Sequence, residues 1–162
     1  MQEYSTEAIV LDKEPNGDLD ARIVLFTKQF GKLVGKAKSA RKITSKLAGH
    51  LEPGNLVQAR LVEKSGLQVV DALKKDRLPN SPPDLYFLGR LLADAQPEPD
   101  LWDSLVRGTF SLREALKVLG WDPDHASCAT CGKGASAFHT KNQEFFCSAC
   151  AFKLPKEEVV YI

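Results

Sequence analysis

AIVLDKEPNGDLDARIVLFTKQFGKLVGKAK, residues 8–38, is the stretch on which the fold turns. It contains three short runs rich in β-formers: Ala8–Leu11, Arg22–Thr27 and Lys32–Lys38. Pro15-Asn16-Gly17-Asp18 separates the first two, and Asn-Gly is a strong tight-turn dipeptide. Gly31 marks the turn into the third, and Gly35 inside it suits a sharp bend. Working outward, Leu56–Glu63 reads as a fourth strand with Val57, Ala59 and Leu61 on one face, and Lys64-Ser65-Gly66 turns into a fifth, Leu67–Leu73. Ser45–Leu51 reads as a short helix ended by Pro53-Gly54. Five strands with a helix between the third and fourth is the order of an oligonucleotide-binding (OB) barrel; an SH3-like barrel is the alternative.

Beyond Leu78 the pattern changes. Residues 79–83 form a linker, and the prolines after Ser81 also suit a helix start. Asp84–Ala95 carries Leu85, Leu88, Leu91 and Leu92 at helical spacing, and Asp100–Leu119 carries Leu101, Leu105, Phe110, Leu112, Leu116 and Leu119. Gly108 divides the second stretch, and Gly120 is the expected helix stop. The expected class is α+β: a barrel over 1–78, then a helical domain over 84–162 that contains a metal-binding finger at 125–152.

All four cysteines fall in that finger. Cys128-x-x-Cys131 and Cys147-x-x-Cys150 are two knuckles with fifteen residues between them. Two residues between thiolates let one tight turn aim both sulfurs at a single ion, and the separation fits a structural zinc site. Four sulfurs leave no coordination position for water, so zinc there is structural; a rubredoxin-like iron site is the rival, since S4 geometry suits either metal. His125 and His139 are expected at the surface, outside the ligand set. Ala137–His139 and Glu144–Phe146 are expected to pair as a hairpin whose aromatics give the finger its small core.

Charge is unevenly spread. The net charge of +1 combines 14 Lys/Arg against 10 Asp/Glu in residues 1–80 with 8 against 11 in the remainder. From Lys32 to Lys46 there are six basic residues and no acidic one: Lys32, Lys36, Lys38, Arg41, Lys42 and Lys46. Lys36 and Lys38 flank Ala37, so on a strand they share one face. Arg41 and Lys42 fall in the following loop, and Lys46 at the entry to the expected helix. Such a patch can neutralise phosphates and release counterions. A merely solvated face is the competing reading, but on the rim of an OB barrel single strands are the expected ligand. Aromatic stacking platforms are scarce, since Phe26 reads as core, which favours backbone tracking with weak sequence preference.

No phosphate loop, nucleophile elbow or zinc-protease motif occurs, so a non-enzyme is expected. No apolar run reaches the roughly 20 residues a bilayer requires, and the start Met1-Gln2-Glu3-Tyr4 does not read as a signal peptide, so the cytosol is the expected address. A protein-interaction scaffold that never touches DNA and a rubredoxin-like electron carrier are the other function classes.

The succession of segments resembles a known family. Ala8–Leu11, Asp20–Thr27, Gly31-Lys32-Leu33, Ala40-Arg41-Lys42, Ser45–Gly49 and Leu51-Glu52-Pro53-Gly54 are similar to the N-terminal domain of the bacterial recombination mediator RecO. Leu116–Trp121 ahead of Cys128-x-x-Cys131-Gly132, and then Cys147–Ala151, continue the likeness. The resemblance implies an OB-fold, a helical domain and a zinc finger. It also implies binding of single- and double-stranded DNA, annealing of complementary strands, and help in loading RecA onto strands coated by single-strand binding protein. RecR is the partner it implies. Carried over by position, Lys36, Lys38, Arg41, Lys42 and Lys46 are the DNA-contact candidates.

Overall fold

A computed structural model describes all of residues 1–162, which divide into two compact units, Met1–Thr109 and Phe110–Ile162. The first unit is built on a closed five-stranded barrel of β1 (Gln2–Asn16), β2 (Asp20–Thr27), β3 (Gly31–Ala37), β4 (Asn55–Glu63) and β5 (Leu67–Arg77), in the order β1-β2-β3-β5-β4. Four neighbour pairs are antiparallel; β3 and β5 run parallel and meet at a single pair, Lys36 with Gln68. β1 is long enough to pair with β4 through its first half and with β2 through its second, which is how one strand serves two sides of the barrel. The β1–β2 register runs up to Asn16 opposite Asp20, so residues 17–19 form the loop, with Gly17 in the left-handed region its turn requires (φ +72°).

Alternation along the strands sends Ala8, Val10, Ile23, Leu25, Val57, Ala59, Leu61 and Val69 into the barrel. The intervening residues of β1 and β2 are apolar too, and Ile9, Leu11, Val24 and Phe26 are buried. Two helices cover that outer face. In α1 (Pro82–Leu91), Gly89 lies over Leu11 and Val24; in α2 (Pro99–Arg107), Trp102 packs edge-on to Phe26 with ring centroids 5.7 Å apart. Burial on both faces is why the two strands read as unbroken apolar runs.

The unit boundary at 109/110 therefore lies beyond the linker expected at 79–83. Leu85, Leu88, Leu101 and Leu105 are buried within the unit that holds the barrel. The helix start that the prolines suited forms there: the Ser81 hydroxyl accepts from the Asp84 N–H, with Pro82 in the first helical position. α1 ends sooner than the leucine spacing suggests, because the backbone past Leu92 is claimed elsewhere: the Ala95 N–H donates to the Lys32 carbonyl at 2.8 Å.

The helix expected at Ser45–Leu51 does not form. Residues 38–54 are a succession of turns, with only the Leu51 N–H reaching back to Leu47 in helical fashion. A helix this short has a costly nucleus and little propagation to offset it, and Pro53-Gly54 blocks extension. The segment is fixed by tertiary contacts instead. Ala40 and Leu51 are fully buried in the barrel core, with Leu47 packed against it. Buried Asn55 is a clasp: its amide donates to the carbonyls of Gly49 and His50, and its oxygen accepts from Arg77.

The second unit begins with α3 (Leu112–Val118), capped by Ser111, whose hydroxyl accepts from the Glu114 N–H. Gly120 ends it as expected: Gly120 N–H bonds to Lys117 O and Trp121 N–H to Leu116 O, the pattern of a left-handed helix stop. β6 (Ala137–His139) and β7 (Glu144–Phe146) form the expected hairpin. β8 (Val159–Tyr161), which the sequence reading missed, adds to the other edge of β6. Trp121, Phe138 and Phe145 pack in a row, tilted and edge-to-face, with centroids 5.2 and 4.9 Å apart.

Candidate metal centre and nucleic-acid interface

The four cysteines converge. Their sulfurs all lie within 4.8 Å of one another. Cys131 and Cys147 sulfurs stand 3.7 Å apart, and four Zn–S bonds of about 2.3 Å define a tetrahedron with edges of about 3.8 Å. The donor set thus fits one tetrahedral soft-metal ion. The first knuckle is shaped by Gly132, whose N–H bonds to the Cys128 carbonyl at φ +73°, and by the Cys128 N–H on the Lys133 carbonyl. The second is shaped by α4 (Ser148–Ala151), which starts just after Cys147. The Ala129 N–H donates to the Phe145 carbonyl, tying the first knuckle to the hairpin. Backbone N–H groups directed at Cys128, that of Cys147 foremost, pull its thiol down to about 6; the Cys147 side chain and the other sulfurs push Cys150 up to about 12. A cation bound by the four sulfurs would displace their thiol protons.

Neither histidine joins the ligand set, but they differ. His125 is exposed, on Asp122 at 2.7 Å, as expected of a surface histidine. His139 is not at the surface: it is almost wholly buried, with Nε2 2.8 Å from the Glu158 carboxylate and Nδ1 accepting from the Asn142 N–H. The Nδ1 contact makes Nε2 the donor to Glu158. This pair pins β6 to the turn before β8, and no local signal discloses it, because the partners are nineteen residues apart. We expect His139→Ala to lower the stability of the second unit by about 2–3 kcal/mol, the cost of a buried ring and its hydrogen bond to Glu158, whose carboxylate keeps Lys141 at 3.9 Å. Faster amide exchange at Phe138 and Val160, with barrel strands unchanged, would show it.

The basic segment divides once its surroundings are seen. Lys32 is used inside the fold: its ammonium is mostly buried, donates to the Gly89 carbonyl at 3.0 Å and pairs with Asp94 at 3.0 Å. It clamps the chain after α1 to the barrel and is withdrawn from the basic surface expected for it. Lys36 is on the outer face of β3 but pairs with Asp20 at 2.9 Å. That ammonium, with the Ser39 N–H, holds the Asp20 carboxyl below the usual carboxylate range. Lys38, Lys42 and Lys46 are exposed and form no ion pair. Arg41 spends two bonds on the β1–β2 loop, to the Gly17 and Asp18 carbonyls, and its N–H donates to the Leu19 carbonyl. It stays exposed, so the loop gains an anchor and keeps the charge.

Comparison with known proteins completes the description of the site. The sequence pattern described as "Recombination protein O N terminal" matches residues 1–75. The chain is also similar along most of its length to proteins named DNA repair protein RecO. That of Thermodesulfovibrio yellowstonii is 29% identical, over 91% of this chain and 70% of the relative. That of Nocardioides sp. is 28% identical, over 91% and 74%, and that of Acidithiobacillus ferrooxidans 30% identical, over 83% and 62%. Its first 75 residues match the recombination protein O N-terminal domain, and most of its length is similar to RecO proteins. The chain spans about two thirds of the length of these relatives, given shares of 62–74%. The RecO pattern covers all five barrel strands except the last residues of β5, and with them every basic residue from Lys32 to Lys46. The cysteine centre lies outside it, in the part of the chain that only the whole-length RecO relatives reach. No helix is long and apolar enough to cross a membrane.

Proposed function

We propose that this RecO-family chain is a DNA-binding mediator of repair and recombination that acts by holding strands and not by catalysis. The barrel order, with β3 parallel to β5 and the long connection between β3 and β4, is read as an OB-fold. The observation that carries the reading is the set of exposed cations Lys38, Arg41, Lys42 and Lys46 on one connection tied to the β1–β2 loop. Phosphates of either a single or a double strand are their natural counterions. Neutralising them lowers the repulsion between two strands, which is the physical content of annealing. Zinc is the proposed ion at Cys128, Cys131, Cys147 and Cys150, where it supplies a closed tetrahedral anchor and no open position for chemistry. RecR as partner, single-strand binding protein and RecA as further contacts, and a nucleoid-associated cytoplasmic address are proposed from the family alone.

The test is a salt titration of binding to a labelled single strand. Each phosphate contact contributes about 0.7 to the log–log slope on single strands, so Lys38→Gln, Lys42→Gln and Lys46→Gln combined should reduce it by about 2. Affinity at low salt should fall roughly 10- to 100-fold, evenly across sequences. The three side chains have no partner in the fold, so thermal stability should not change. Equal affinity and slope in parent and variant would remove the interface from this surface.

A further inference from the structure

The cationic rim lacks what sequence-tolerant single-strand binders use between their phosphate contacts, a flat aromatic on which bases stack. Phe26 is buried, and Phe30 packs against Tyr4 beside the start of β3. What the rim exposes instead is aliphatic. Ile43 is fully exposed, and Leu19 in the β1–β2 loop is nearly half exposed. Lone exposed apolar residues are ordinary on protein surfaces. These two sit on neighbouring loops: the Arg41 N–H, two residues before Ile43, bonds to the carbonyl of Leu19 at 2.9 Å.

The loop that presents Ile43 is also held firmly. Ser39 has a left-handed backbone (φ +55°), unusual for a residue with a side chain, and its N–H is taken by Asp20 at 2.7 Å. The Lys42 N–H bonds to the Ser39 carbonyl and the Ser45 N–H to the Lys42 carbonyl, closing two successive turns that share Lys42, with Ile43 next in the second. Ala40 before it and Leu51 after it are buried in the barrel. Ile43 is thus an apolar tip on a fixed arm, between cations that have no partner in their own chain.

From this arrangement we infer that Ile43 and Leu19 form an apolar wedge that enters between adjacent bases of a single strand whose phosphates lie on Lys38, Lys42 and Lys46. The inference rests on the DNA-binding reading above and deepens it. Aliphatic side chains inserted at base steps are an established way to unstack nucleic acid, and the cations supply the attraction that brings the strand there. A strand with its bases parted cannot fold back on itself, so the wedge gives the rim a role that charge alone does not.

The full-length chain, loaded with zinc, is titrated into a mixed-sequence single-stranded oligonucleotide carrying one 2-aminopurine, whose emission rises when its neighbours unstack. The parent is expected to raise emission roughly twofold or more at saturation. The Leu19→Ser, Ile43→Ser variant should bind with the same salt slope and at most a few-fold weaker affinity, while the rise disappears. Both side chains are at the surface, and an unchanged melting curve confirms that the variant is folded. Binding by the parent with no rise, or a rise that persists in the variant, overturns the wedge and leaves the DNA-binding reading standing. No binding by the parent at any low salt overturns both. Sedimentation with phosphatidylserine-containing vesicles is the third arm: vesicle binding that the substitutions abolish, with 2-aminopurine emission unaffected, assigns the tips to a lipid surface and overturns the wedge.

Discussion

Chelating the ion from zinc-loaded protein is expected to unfold residues 110–162 while the barrel unit keeps its structure. The second unit is small, and much of its core is built around the cysteines. The buried cluster beside the ion site is Cys128, Ala137, Phe146, Ala151 and Val159, and three of the four cysteines border or belong to it. Its strands are three residues each, too short to be stable in isolation. Structural zinc sites of this type contribute about 10–16 kcal/mol of binding energy that is at the same time folding energy. The first unit has a barrel core independent of any metal. Amide exchange separates the two: after addition of a chelator, protection should vanish at Phe138, Phe146 and Val160 and survive at Ile23, Leu25 and Leu61. Cys131→Ser should reproduce the result without chelator, because three thiolates cannot close the tetrahedron. Loss of protection in both units together, or in neither, would contradict the assignment of the ion to the second unit's stability.

Gly31→Ala is expected to be among the most damaging single-methyl changes in the barrel unit. Gly31 has φ +70°, and a methyl there would lie 2.2 Å from the backbone carbon and oxygen of Gln96. Neither atom belongs to a flexible side chain, so the segment clamped by Lys32 to Asp94 and Ala95 has to move. About 1–2 kcal/mol for the left-handed backbone and about 1–3 kcal/mol for the forced contact give a loss of roughly 3 kcal/mol. In a unit of this size that is a melting-temperature fall of more than about 10 °C. Gly17 supplies an internal control. Its φ is +72°, yet a methyl there meets nothing within 4 Å. Gly17→Ala should cost the backbone share only, about 1–2 kcal/mol. The difference between the two variants measures the close approach itself; equal losses would mean that the contact at Gln96 relaxes freely.

Much of the barrel was legible because its signals are local. Runs of β-branched residues between glycine and asparagine turns placed five strands, and helical leucine spacing with serine and glycine stops placed three helices. The cysteine centre was legible for a similar reason, since each knuckle is a turn of four residues whose chemistry is written in its letters. The features that escaped depend on distant partners. Ser45–Leu51 has a helix-like composition but is shaped by Asn55 and by burial of Leu51, neither of which a window of seven residues contains. Lys32 looks the same as Lys38 in sequence; only the segment after α1, some sixty residues on, decides that one is an internal clamp and the other faces solvent. His139 and Glu158 are a further case, and β8 another, because three residues carry too little pattern to be seen.

The clasp made by Asn55 has a kinetic consequence. With its amide on Gly49 and His50 and its oxygen on Arg77, it ties the end of the turn-rich connection to β4 and β5. On the proposed DNA-binding role, a preset arm would forfeit little freedom on docking, so encounter would be governed by diffusion and charge steering and would slow as ions screen the field, while the lifetime of the complex would be left to the individual side chains at its tip.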